Sequence, residues 1–297
     1  MVSAGDAHPS PASPVPTFSG ERALELVRVQ CDLGPRLPGT PANAALRRLI
    51  LQVANKAGLS AVPLCFEAPL GPGGAAIEAC NIVVSAGPPG GQRLWLGAHF
   101  DSRPWADQDP VAARRSRPVV GANDGGSGTA VLLHLIELLA QAPPPAGVDL
   151  LFFDAEDSGQ PRDAAGFCLG SRQLAGAMQG FGHPLSTGAP RGLIVLDMVG
   201  EAGARIPMEG YSLDNAAAWT EAVFKRAGDL GLAVFEAVPG RYVFDDHVPF
   251  LGAGVSAVDL IDFDYPQWHT VDDTPDRCSA ATLAEVGRLV VDLVYRP

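Results

Sequence analysis

The feature that most constrains the fold is a set of short apolar runs: NIVVSA (81–86), RLWLGAHF (93–100), VDLLFFDAED (148–157), GLIVLDMVG (192–200) and VSAVDLIDF (255–263). Four of them are apolar almost without interruption. A strand with one wet face alternates apolar and polar residues, whereas a strand covered on both faces does not. The runs therefore read as interior strands. Helical patterns lie between them: SGTAVLLHLIELLAQ, SRQLAGAMQ and LDNAAAWTEAVFKRAGDLG follow the second, third and fourth runs, and SAATLAEVGRLVVDLVY closes the chain. Upstream, TPANAALRRLILQVANKAG reads as a helix with Thr40 as N-cap, Pro41 in the first turn and Gly58 as the stop. Strand–helix alternation predicts a single three-layer α/β/α domain around a mixed, mostly parallel sheet. The Pro/Gly stretches APLGPGGAA and QAPPPAG read as surface loops, because the alternation continues across them.

Composition narrows the partners. A chain of 297 residues, 47% hydrophobic, can bury a large core, and no apolar run approaches the ~20 residues of a membrane span. A net charge of −12 opposes nucleic acid or an anionic membrane as partner, since both call for a basic face. Residues 1–18, MVSAGDAHPSPASPVPTF, contain no apolar core of a signal peptide and read as a disordered leader. That makes the cytoplasm the default, with periplasm or secretion the alternative if an export signal is missing. The five cysteines (Cys31, Cys65, Cys80, Cys168, Cys278) form no C-x-x-C pair, which opposes a thiolate zinc site. Buried free thiols are the simpler reading and one disulfide the alternative.

The polar residues fall where the apolar runs end: His99 and Asp101, then Asp124 before a helix, then Asp154, Glu156 and Asp157, then Asp197, and finally His269. In open α/β sheets, ligands bind at the carboxyl ends of the strands. Singly, each residue has an ordinary explanation: a core histidine, an N-cap, a solvated loop acid. Together, the two histidines and the carboxylates on one rim form an N/O ligand set suited to zinc. The glycine-rich GANDGGSG lacks the Lys-Ser/Thr of a phosphate loop, and Ser127 lacks the second glycine of a nucleophile elbow. Its glycines read as a tight turn that lets the backbone pass close to a bound ion.

The ordered motifs AHFDS, GANDGGSG, FFDAED, LDMVG and WHT resemble the zinc exopeptidases, bacterial aminopeptidases and the glutaminyl cyclases related to them, from residue 31 to about 276. The resemblance implies a zinc exopeptidase-like catalytic domain over 19–297 acting on peptide or protein N-termini, as a monomer. In the aminopeptidase form, two zinc ions are implied: His99 with Asp197, Asp157 with His269, and Asp124 bridging. Other stretches (DSRPWADQDP, FCLGSRQLA, MEGYS, FDDHVPF, YPQWHT) are more similar to bacterial glutaminyl cyclases. That form implies one zinc on Asp124, Asp157 and His269, with Glu156 as proton shuttle. Asp197 and Asp245 then share a hydrogen-bond network with Glu156 and raise its proton affinity as like charges. Trp268 and Phe167 are implied as walls of the glutamine pocket. Asp259 stands where animal cyclases carry a histidine, and its role, including anchorage of the Asp245 loop, is open at this level. Asp272 and Asp273 are expected to be peripheral.

Overall fold

The computed structural model describes residues 15–70, 75–160, 164–178 and 190–297. Two N-terminal helices, α1 (Gly20–Cys31) and α2 (Pro41–Lys56), precede β1 (Ser60–Ala68), β2 (Ile77–Ala86) and β3 (Arg93–His99). Then come α3 (Gly126–Gln141), β4 (Val148–Phe153), α4 (Leu169–Ala177), β5 (Pro190–Asp197) and β6 (Ile206–Met208). The chain finishes with α5 (Gly210–Asp229), β7 (Phe235–Pro239), α6 (His247–Gly252), β8 (Ala257–Ile261) and α7 (Ala280–Tyr295).

Six strands form one sheet in the order β1-β2-β4-β3-β5-β8. β1, β2 and β4 are joined antiparallel, while β4, β3, β5 and β8 run parallel. β3 and β4 are buried at every residue, as uninterrupted hydrophobicity predicts. One face carries α1, α2, α3 and α7 over Leu94, Leu96, Leu150 and Ile194; the other carries α4 and α6 over Trp95, Leu151, Phe153 and Val195. The three-layer α/β/α architecture is thus present. No helix among the described residues is long and apolar enough to cross a membrane.

The α2 boundaries follow the local chemistry. The Thr40 side chain accepts from the Asn43 N–H, and Gly58, at φ 72°, follows the last turn. Two expectations change. Phe18, placed in the leader by composition, is buried against His134 and leaves no room for a side chain at Gly287; residues 1–14 lie outside those described. Cys65 and Cys80 face each other across β1 and β2 and form a disulfide, which leaves Cys31, Cys168 and Cys278 free. An apolar-run reading passed over β1 because it is an edge strand whose burial alternates along its length.

Candidate active site

Parallel strands β4, β3, β5 and β8 deliver their carboxyl ends to one edge of the sheet. Asp197 ends β5, Glu156 and Asp157 follow β4, and Asp124 comes from the loop leading into α3. His269 and Trp268 lie in the loop after β8, and Asp245 in the loop before α6. Six of these side chains, Asp124, Glu156, Asp157, Asp197, Asp245 and His269, line one cavity of about 360 Å³. Its remaining wall is largely aromatic and aliphatic, with Phe167, Phe244, Ile261, Phe263 and Trp268. His99 is buried beneath this floor, at the end of β3.

Four residues flanking the cavity hold left-handed backbone angles without being glycine: Ala155 (φ 58°) before Glu156, Cys168 (φ 55°) after Phe167, Met198 (φ 47°) after Asp197, and His269 (φ 53°). Such conformations cost energy and persist only where the surroundings enforce them. Beside Ala155 the enforcement is visible, and the neighbouring loop is held in the same way. Asp101 accepts from the N–H groups of Glu156 (3.0 Å) and Asp157 (3.2 Å). Asp273 accepts from those of Asn123 (2.9 Å) and Asp124 (3.2 Å), and its Oδ1 also accepts from the Tyr265 hydroxyl at 2.8 Å. Fully buried Arg36 donates to the carbonyls of Phe100 (2.9 Å), Val120 (2.6 Å) and Gly121 (2.7 Å), which positions the loop carrying Asp124.

Asp273, expected to be peripheral, is therefore a buried anchor; Asp272 is exposed as expected. Asp154 turns away from the cavity and accepts from the Asn43 side chain and the Cys80 N–H, both at 2.8 Å. The glycines of GANDGGSG admit neighbouring chain. A Cβ at Gly125 would lie 2.5 Å from the Asp101 carbonyl oxygen, and one at Gly128 would lie 2.0 Å from that of Leu196.

Two sets of nitrogen and oxygen atoms at the floor are close enough to share an ion: Asp124, Asp157 and His269, and His99, Asp124 and Asp197. In the first, His269 Nε2 lies 3.3 Å from Asp157 Oδ1 and 3.8 Å from Asp124 Oδ2, while its Nδ1 lies 3.2 Å from Asp107. A carboxylate behind the far ring nitrogen is the usual support of a metal-binding histidine. Asp124 Oδ2 and Asp157 Oδ2 are buried acceptors with no donor, as a cation-binding floor requires. In the second set, His99 Nε2 lies 3.2 Å from Asp124 and 3.1 Å from Asp197. Arg103 was not singled out in the sequence, although it sits in DSRPWADQDP. It is buried and donates from Nη1 to Asp157 Oδ1 (3.1 Å) and to the Gly159 carbonyl (2.7 Å), and its guanidinium lies 5.0 Å from the Phe167 ring centre.

Burial is the first cause that raises the proton affinity of Glu156 well above the ordinary carboxylate range; the charges of Asp157, Asp245 and Asp246 add to it. Asp197 reaches the neighbourhood of Glu156 through His99, whose Nδ1 lies 4.0 Å from Glu156 Oε2. It pairs with His99, and burial pushes it up to about 7. Cys168 instead donates its thiol proton toward Glu156 Oε1 at 3.3 Å. Trp268 stacks on His269 with ring centres 3.9 Å apart and packs on Phe263 at 4.9 Å.

An α/β/α sheet that presents a buried carboxylate–histidine floor and one high-affinity glutamate in an aromatic cleft defines a metal-centred enzyme of the exopeptidase type. The chain belongs to peptidase family M28, whose model matches residues 81–294. It is similar to the glutaminyl-peptide cyclotransferase of Bos taurus, 27% identical over 88% of this chain and 79% of that one. Among solved structures, it is similar to the Bacteroides thetaiotaomicron glutaminyl cyclase bound to N-acetylhistamine (TM-score 0.88, 32% identity, 96% of this chain and 100% of that one). A leucine aminopeptidase precursor from the same organism matches equally well (TM-score 0.88, 32% identity, 96% of this chain and 99% of that one).

Proposed function

We propose that this chain is a zinc-dependent glutaminyl-peptide cyclotransferase, which closes an N-terminal glutamine to pyroglutamate and releases ammonia. The observation that carries the reading is the stacking of Trp268 on His269. It sets a flat apolar wall directly beside the Asp124–Asp157–His269 floor. One zinc on that floor, the set with the donorless acceptors, would polarise the γ-amide carbonyl and stabilise its oxyanion.

The remaining work belongs to side chains. Trp268, Phe263 and Phe167 enclose the glutamine methylenes and hold the α-amine over the amide carbon, so that ring closure is intramolecular. Glu156, whose burial gives it high proton affinity, takes a proton from the attacking amine. It delivers that proton to the departing nitrogen as the new N–C bond forms and the old amide C–N bond breaks. Asp245 lies within 4.8 Å of Glu156 and Cys168 and completes this side of the cavity. His99 and Asp197 hold Asp124 from beneath. All of these residues come from one chain, so the reading requires no second subunit.

The Cys65–Cys80 disulfide supports an oxidising compartment, periplasmic or extracellular, over the cytoplasm that composition alone suggested.

The test is to supply the zinc-loaded protein with a Gln-initiated peptide and, separately, a Leu-initiated one. Ammonia and a pyroglutamyl product from the first, with the second untouched, are expected. The His99–Asp124–Asp197 set is the observation that favours a two-metal aminopeptidase. Free leucine together with two zinc ions per chain would establish that reading instead.

A further inference from the structure

Behind Asp245, a chain of buried polar groups runs away from the cavity, contributed by three separate elements. Glu209 is the N-cap of α5, His247 opens α6, and Asp259 sits in the middle of β8. Asp245, Asp259, His247 and Glu209 are each at most 4% exposed.

The far end of the chain is fixed by its donors. Glu209 accepts from the N–H groups of Tyr211 (2.9 Å), Ser212 (2.7 Å) and Val243 (2.9 Å), and from the Ser212 hydroxyl (2.8 Å). A carboxylate with four such donors is ionised, so His247 Nε2, 2.9 Å away, donates to it. Burial by itself would raise Glu209, but the hydrogen bonds outweigh it and bring the group to about 2. His247 Nδ1 then faces Asp259 Oδ2 at 3.7 Å.

The near end has fewer donors. One oxygen each from Asp245 and Asp259 lies within 4.8 Å of the other and of the His247 ring nitrogen. Both oxygens of Asp259, and Oδ2 of Asp245, are buried and receive no donor. Asp245 Oδ1 does accept from the Asp246 N–H, at 2.5 Å. Two facing carboxylates out of water do not both stay ionised. The proton belongs on the one without a main-chain donor, which is Asp259.

We infer that Asp259 is a neutral carboxylic acid and a positioning residue: its O–H donates to Asp245 and holds that carboxylate at the catalytic cavity. Burial, with the charges of Asp245, Glu209 and Asp197, raises the proton affinity of Asp259 well above the ordinary range, in agreement with the geometry. This inference rests on the placement of Asp245 beside Glu156 in the proposed reaction.

The experiment compares wild type with Asp259→Asn and Asp259→Ala on a Gln-initiated peptide, alongside melting temperature and metal content. Asparagine presents an N–H where the acid presents its O–H, so Asp259→Asn should keep kcat within about threefold of wild type, with unchanged metal content. Asp259→Ala should lose about tenfold or more in kcat with KM nearly unchanged. Asp259→Asn failing in kcat at an unchanged melting temperature would overturn the inference, and so would full activity of Asp259→Ala. Loss of a metal ion from Asp259→Asn would also overturn it, since the group would then bind a cation. One readout needs no turnover: the infrared carbonyl stretch of a buried neutral carboxylic acid should appear as a positive band in the wild-type-minus-Asp259→Asn difference spectrum. Its absence from the difference overturns the inference even if Asp259→Ala does not fold. A wild type that shows this band but has no cyclase activity would instead sink the proposed reaction alone.

Discussion

The carboxylate of Asp273 accepts the main-chain N–H groups of Asn123 and Asp124, at 2.9 and 3.2 Å, across about half the length of the chain. Asp101 does the same for Glu156 and Asp157 on the opposite side of the floor. Each of these buried aspartates thus fixes the backbone of one carboxylate of the proposed zinc site. Asp273→Asn turns one acceptor into a donor that faces an N–H. Zinc affinity should fall about 10- to 100-fold, as measured by competition with a chromogenic chelator. Unchanged affinity would show that Asp273 only packs.

Glu156 is the carboxylate of the cavity assigned to moving a proton rather than holding metal. Glu156→Gln should retain its zinc by metal analysis while kcat/KM for a Gln-initiated peptide falls by about 10²- to 10⁴-fold. A fully active variant removes Glu156 from the mechanism.

In the proposed reaction, Trp268 carries the distinction between cyclisation and peptide cleavage. Trp268→Ala should raise KM for Gln-initiated peptides about tenfold, near 1.4 kcal/mol of binding. Trp268→Phe should recover most of that loss, because a flat ring again covers His269. Equal loss in both variants would mean that the indole acts through the metal site rather than as a wall.

The pH dependence of stability should report Glu209. Its folded value of about 2 lies below the ordinary 4.5, so its contribution is present above 4.5 and is shed as pH falls toward 2. Glu209→Gln should therefore lower the urea midpoint markedly at pH 7, and the gap from wild type should narrow when both are measured near pH 3. A gap independent of pH would assign the loss to packing.

The Cys65–Cys80 disulfide predicts a thiol count. Alkylation of the unfolded, unreduced chain should label three cysteines, Cys31, Cys168 and Cys278, and after reduction all five. Replacing Cys65 and Cys80 together by serine should cost roughly 2–4 kcal/mol in denaturant unfolding.

Much of this site was legible before any coordinates. The five apolar runs became β2, β3, β4, β5 and β8, and the acids and histidines at their ends converge because parallel strands share one carboxyl edge. Trp268 and Phe167 were expected as walls and do line the cavity. The strands β1, β6 and β7 were missed. The first alternates in burial along an edge, and β6 and β7, at 3 and 5 residues, are too short to show a period.

The sequence by itself determined which residues are buried strands and which carry the chemistry, because hydrophobic periodicity and side-chain type are local properties of the chain. Only the tertiary structure decided what each buried carboxylate does. Asp101, Asp154 and Asp273 became backbone anchors, Asp197 joined His99, and Asp259 turned toward Asp245. The physical reason is that an aspartate's role depends on the donors and charges facing it, and those come from distant segments brought together by the sheet and its crossovers.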